Sequence, residues 1–175
     1  MTKSDATRQE WLAQFENAPS RKSAPGVTSV ETIRSMTGLA FIRAIADGTL
    51  PHPPMGDAIN FCFLEAAKGQ VTMLGLPTVA YYNPIGSIHG GWACTLLDSC
   101  MACSVQTTLA AGQGYTTVEL KVNLVRPISG ETGPLRAEGR VINAGRTIAT
   151  AEGRLVGADG RLYAHGTTTC LILGL

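Results

Sequence analysis

From about Val30 the apolar positions Ile33, Met36, Leu39, Ala40, Ile42, Ala44 and Ile45 recur at helical spacing, and Gly48 with Pro51, Pro53 and Pro54 ends the run in a loop. Ahead of it, residues 1 to about 25 are polar. A short helical stretch from Arg8 to Asn17 is followed there by Pro19, Ser20, Ser23, Pro25 and Gly26, which reads as an arm or linker. Beyond the prolines the pattern changes. Ala58 to Ala66 alternates in part and is rich in bulky residues, and Lys68-Gly69-Gln70 forms a hairpin turn into Val71-Thr-Met-Leu. A break at Asn83-Pro-Ile-Gly-Ser87 precedes the strand-poor segment 88–111, predicted as the single central helix. Tyr115 to Val125, Gly133 to Asn143, Thr147 to Val156 and Leu162 to Leu173 then read as strands, the last after the turn Ala158-Asp159-Gly160. In the first of these, strict alternation sets Val118, Leu120, Val122 and Leu124 on one face and Thr117, Glu119, Lys121 and Asn123 on the other.

Two strands, a helix and four strands suit an α+β fold in which an antiparallel sheet wraps round one apolar helix. Composition fits a chain with much apolar surface to bury, some of it between subunits. Apolar residues make up 45% and charged residues only 15%, where roughly 25% charged is usual. The net charge of +1 with scattered basic residues gives no footprint for nucleic acid. The stretch from Trp92 to Ala111 carries Asp98 with several hydroxyl and amide side chains. A charge near the middle of a span costs roughly 2.5–3.5 kcal/mol on insertion, so this stretch is expected to be a buried helix of a soluble protein and not a membrane span. The first residues lack the apolar run of a secretory signal, which makes a cytoplasmic location and five reduced cysteines the expectation. Cys100-Met-Ala-Cys103 lies inside the helix, away from any strand-to-helix start of the redox type, and the three histidines show no metal spacing, so no metal is expected.

The chemistry concentrates in Asn83-Pro-Ile-Gly-Ser-Ile-His89-Gly90-Gly91-Trp-Ala-Cys-Thr-Leu-Leu-Asp98. Two glycines at a helix start leave unpaired backbone N–H groups open to a ligand oxygen, and such a donor suits a developing oxyanion. Asp98 follows Gly90 by eight residues, ~12 Å along a helix axis. One chain can hardly bring both to one carbonyl, so an acid acting with Gly90 on one substrate would come from a two-fold-related chain. Burial in an apolar helix would raise the cost of ionising Asp98, which suits a base. Turn chemistry for Gly90-Gly91 and a paired, inert Asp98 remain the plain alternatives.

The pattern Asn83-x-x-Gly86-x-x-His89-Gly90-Gly91, followed by Leu96-x-Asp98, resembles the PaaI-like branch of the hot-dog-fold acyl-CoA thioesterases. Val118 to Pro127, Gly145-Arg146-Thr-Ile-Ala and Asp159 to Thr167 resemble later strands of the same family. The resemblance covers about residues 58–173. It implies a hot-dog domain over 51–175, an N-terminal arm and helix over 1–50, and hydrolysis of an acyl-CoA thioester. In that family pattern Asn83 would hold the lytic water or the thioester and the Gly90 N–H would polarise the carbonyl. The partner's Asp98 would be nucleophile or general base, and Thr117, with Thr116 beside it in the register, would position the water. His89 and Gly91 would shape the loop at the substrate. Arg146, among Arg126, Arg136, Arg140 and Arg154, would meet the CoA phosphates. No cofactor is implied beyond coenzyme A as part of the substrate; the partner is a second copy of the chain, with a homotetramer expected.

Two other readings fit the same fold. One is a protein that binds acyl-CoA or an aromatic acid without turnover. The other, an enoyl-CoA hydratase, lacks its Asp-x-x-x-x-His arrangement, since no histidine follows Asp98 until His165. A Gly-x-Ser-x-Gly elbow is absent as well.

Overall fold

The computed structural model describes residues 2–175. Strands β1 (Phe61–Ala67), β2 (Gln70–Gly75), β3 (Gln113–Leu124), β4 (Leu135–Ala144), β5 (Ile148–Gly157) and β6 (Leu162–Gly174) form one antiparallel sheet in the order β1-β2-β4-β5-β6-β3. Its inner face wraps the long helix α5 (Gly90–Gln106). This is the hot-dog architecture expected from the sequence.

The helix lies close on the sheet because three strands present glycine where it passes. A Cβ at Gly75 would stand 2.5 Å from Leu96 Cδ2, one at Gly139 2.7 Å from the Cys100 carbonyl oxygen, and one at Gly153 2.7 Å from Met101 Cγ. Leu96, Leu97, Cys100, Met101 and Val105 are thereby sealed from solvent against Met73, Leu135, Ala137 and Leu155. The helix is shorter than the span 88–111 predicted from composition. His89 caps its start, and at its end Thr107 Oγ1 donates to the Ser104 carbonyl while accepting from the Gly69 N–H, which turns the chain away.

The N-terminal region is more structured than an arm. Helix α1 (Lys3–Asn17) opens with a capping box in which Thr2 and Asp5 satisfy each other's backbone N–H groups. It buries Trp11 and Phe15 on the outer face of the sheet against Cys62 and Leu74. Arg136 lies over the Trp11 ring at 4.4 Å and Arg21 over Phe15 at 4.1 Å. The helix expected from Val30 to Ile45 is two, α2 (Val30–Arg34) and α3 (Gly38–Ala46). Thr37 caps the second through its side chain, and Gly38 sits where any Cβ would strike the Gln106 carbonyl. Ile42 and Ile45 of α3 join the main core. The proline-rich loop, read as irregular, holds one short helix, α4 (Pro54–Ala58), with Pro54 at its first position.

Strand β3 departs from strict alternation. A bulge at Val118 shifts the register with β6, from Thr117 opposite Cys170 to Glu119 opposite Thr169. Thr117 thus shares the helix side of the sheet with Val122 and Leu124, contrary to the expectation that they face opposite ways. β3 is also an edge strand, and Val118, Leu120, Leu124 and Val125 on or beside it are exposed.

Candidate active site

Asn83 organises the loop before α5. Its Oδ1 accepts from the N–H groups of Ile85 (3.1 Å) and Ser87 (3.2 Å), and its Nδ2 donates to Ser87 Oγ at 2.9 Å. One amide hydrogen of Asn83 is left over, in a cleft of about 360 Å³ that the residue shares with His89, Gly90, Leu124 and Arg126. Gly86 completes the turn with φ +84°, a conformation that side chains disfavour. His89 Nδ1 accepts from the Gly91 N–H at 2.9 Å, so this ring nitrogen carries no proton and the histidine serves as a helix cap. The Gly90 N–H, first of the helix, has no acceptor among the described residues and opens at the positive end of the helix dipole. A Cβ on Gly90 would come within 2.5 Å of Leu124 Cδ1, a second reason for glycine there.

Asp98 stands in a different cleft, of about 460 Å³, between α4, β1, α5 and β3. Thr117 Oγ1 donates to its Oδ1 at 3.1 Å, and Thr116 lines the same cleft. Asp98 Oδ2 has no hydrogen-bond partner among the described residues. Burial raises the carboxyl above its ordinary value, and the Thr117 bond draws it part of the way back. Behind it, burial pushes the Cys103 thiol up to about 12. Cys100 turns its thiol to the carbonyls of Val71 and Ala137 on β2 and β4. The Cys-x-x-Cys pair is therefore two separate thiols kept protonated, with no redox geometry.

One chain thus brings together Asn83, His89 and Gly90 at one cleft, with Gly91 bonded to His89 but not lining it, and Asp98 and Thr117 at another. Arg146 is exposed on the β4–β5 turn and lines neither. Arg126 is the guanidinium at the Gly90 cleft, lying 5.8 Å from the Tyr163 ring centre. By pattern Arg126 is only one of five arginines; its place near the end of the Val118–Pro127 stretch was the available clue. Trp92 and Tyr81 stack at 6.4 Å, with the indole N–H donating to the Ile59 carbonyl at 2.7 Å, so they support the loop and core at the helix start. Pro53 and Met55 of the proline-rich segment line the Asp98 cleft.

Ser23, His52 and Asp57 form a chain that the sequence did not suggest. His52 Nε2 meets Asp57 Oδ1 at 2.9 Å and its Nδ1 meets Ser23 Oγ at 3.3 Å. The Ser23 hydroxyl donates to the Ser20 carbonyl at 2.9 Å, so the order of side chains looks like a hydrolytic triad while the hydroxyl hydrogen is committed elsewhere. The chain ties the N-terminal segment to α4, together with a Gly26 N–H bond to the His52 carbonyl. Among the described residues no three His, Cys, Asp or Glu side chains gather as a metal set, and no helix is long and apolar enough to cross a membrane.

Residues 85–164 match the model of the thioesterase superfamily. A Halobacterium salinarum protein with a provisional esterase name is 33% identical over 69 residues, 38% of this chain and 44% of that protein, so the match spans less than half of the relative. Among solved structures, a phenylacetic acid degradation-related protein of Ralstonia eutropha is 27% identical with a TM-score of 0.67, over 78% of this chain and 99% of that one. The PaaI protein of E. coli, at 16% identity and TM-score 0.66, shares the fold over 83% of this chain and 97% of its own. So does a Streptococcus mutans protein solved bound to acetyl-CoA, at 24% identity and TM-score 0.60 over 66% and 90%. The matched stretch begins just inside the Asn83 loop and takes in Gly90, Asp98 and Thr117, so over that stretch the chain is similar to the thioesterase superfamily, and it shares the hot-dog architecture of the PaaI-like structures.

Proposed function

We propose that the protein hydrolyses acyl-CoA thioesters at sites built across a homodimer, with the Gly90 N–H from one chain and the partner's Asp98. The observation that carries this is the pairing of Asp98 with Thr117. The carboxylate is half-buried and held on one oxygen, with the other free to take a proton. Within one chain Gly90 and Asp98 lie ~12 Å apart along the helix, too far for one carbonyl. The exposed edge of β3 supplies the second chain. On that strand Thr117 sits beside Asp98 and Leu124 beside Gly90, seven residues and roughly 20 Å away. Antiparallel pairing of two β3 edges about a two-fold axis near Leu120 and Lys121 sets each Thr117–Asp98 pair against the partner's Leu124 and Gly90. The same pairing covers Leu120 and Leu124 and continues the sheet, removing an exposed apolar edge.

In this site the Gly90 N–H, backed by the helix dipole, takes the thioester carbonyl oxygen, and the partner's Asp98 removes a proton from water as the water oxygen attacks the carbonyl carbon. Negative charge gathers on the oxygen facing Gly90, where a preorganised donor is worth about 3–4 kcal/mol in the transition state. The C–S bond then breaks, the acid leaves, and the proton on Asp98 passes to the departing CoA sulfur. Thr117 orients the carboxylate; Asn83 holds the loop and offers its remaining amide hydrogen to the thioester. His89 fixes Gly91, and so the direction in which the Gly90 N–H points. Arg126 at the Gly90 cleft is the chain's own cation for the CoA phosphates, with Arg146 on its exposed turn as the second candidate. The acetyl-CoA found on the Streptococcus mutans protein of this fold supports the choice of thioester.

Thiol release from short, medium, long and aromatic acyl-CoAs, read for the parent beside Asp98→Asn, tests the proposal. Turnover of at least one class with a loss of about two or more orders of magnitude in the variant is the expected result. Tight CoA binding with no thiol released by the parent would put a non-catalytic acyl-CoA binding protein in its place.

A further inference from the structure

The cleft beside Asp98 has two unlike ends. Asp98, Ser99, Thr116 and Thr117 make one side polar, and the other is walled by Met55, Phe61, Phe63, Ala102, Cys103 and Tyr115. Along α5 the apolar wall runs from Asp98 to Cys103, five residues or ~7.5 Å of helix. At the Cys103 end of this wall, Cys103 and Tyr115 meet and pack against the core. Met55 is unlike the rest of the wall: it comes from α4 and is 48% exposed, where Phe61 and Phe63 are buried. A helix of five residues holds its place poorly alone. Here His52, 6% exposed, bonds Asp57 within the helix and Ser23 in the N-terminal segment, and the Gly26 N–H bonds the His52 carbonyl.

We infer that α4, pinned through His52, is the acyl-length gauge of this protein, with Met55 against an acyl tail that runs from Asp98 toward Cys103. The inference rests on the thioesterase reading and extends it to the substrate class. An extended chain advances ~1.1–1.2 Å per bond, so a ~7.5 Å wall takes about six bonds beyond the carbonyl. The substrates are then medium acyl groups of about six to eight carbons, and long-chain acyl groups are excluded. Replacing Met55 by alanine removes three heavy atoms beyond Cβ and opens room for two or three more carbons.

The test is kcat/KM for saturated acyl-CoAs from two to sixteen carbons, parent against Met55→Ala. It is run beside calorimetric titration of both proteins with the free straight-chain carboxylic acids from four to fourteen carbons. The expected result is an optimum near six to eight carbons in the parent that moves two to three carbons longer in Met55→Ala, in turnover and in acid binding alike. Asp57→Asn, which loosens the pin on α4, is expected to flatten the length profile. Superimposable profiles for the parent and Met55→Ala overturn the inference and leave the thioesterase reading standing. No thiol release, with an acid-binding cutoff that still moves in Met55→Ala, overturns the thioesterase reading and keeps the gauge. Absence of both overturns both.

Discussion

Thr117→Val is nearly isosteric, keeps the β-branch suited to a strand, and deletes one hydroxyl that donates to Asp98 Oδ1 at 3.1 Å. A hydrogen bond to a charged group contributes about 1.5–3 kcal/mol when dry. The Asp98 carboxylate is only half-buried, so solvent screening cuts this to about 1 kcal/mol. The bond favours the ionised form and opposes the burial that raises the Asp98 pKa, so losing it moves that pKa further up. The acid limb of kcat/KM against pH reports the free enzyme's essential base, and should move up in Thr117→Val while the alkaline side keeps its position. A carboxyl-carbon NMR titration of Asp98 reads the same shift without turnover. An acid limb and a carboxyl titration that both coincide with the parent's would refute the assignment of Asp98 as the base and of Thr117 as its partner.

The same burial makes Asp98 a cost to the fold. Its folded pKa lies above the unfolded value near 3.8, so the folded state binds the extra proton and stability declines as pH rises from that value through the folded pKa. Asp98→Asn should therefore be the more stable protein at pH 7, by under about 1 kcal/mol after screening, with the gap closing below pH 4 in urea unfolding. Leu120→Lys on the β3 edge should give monomers by light scattering and lose turnover while far-ultraviolet circular dichroism is kept; an intact, active dimer would contradict pairing through this edge. Gly139→Ala should lose about 2–3 kcal/mol or more of stability. Its Cβ would meet the Cys100 carbonyl oxygen at 2.7 Å, backbone that cannot step aside; a neutral melting temperature would contradict that tight approach.

Much of the fold was legible because hydrophobic period and turn chemistry agreed: Gly69 at φ +77° closes the β1–β2 hairpin where Lys68-Gly69-Gln70 announced it. What escaped were features decided by tertiary contact. Trp11 and Phe15 look like stray aromatics in a polar arm until the outer face of the sheet offers Cys62 and Leu74. The split between α2 and α3 follows from Gly38 abutting the end of α5, which no periodicity records. The Val118 bulge puts Thr117 on the helix side with Val122 and Leu124, facing Asp98, where alternation sets them on opposite faces. In the site, the motif before α5 pointed to Asn83, Gly90 and Asp98. That Asn83 spends both lone pairs of its amide oxygen on its own loop, and that Arg126 joins Gly90, depends on side-chain direction alone.

The central claim is that each site takes Gly90 from one chain and Asp98 from the other, and mixing two inactive variants tests it most directly. Asp98→Asn lacks the base; Gly90→Pro lacks the N–H yet suits the first position of a helix, with the flexible Leu124 side chain beside its Cβ able to move aside. Unfolded together and refolded at equal amounts, the two chains form mixed dimers in which one of the two sites is whole. Random pairing predicts recovery of about a quarter of the parent's thiol-release rate from two inactive proteins. A mixture as inactive as its components, with mixed dimers verified by mass, would contradict a site shared between chains.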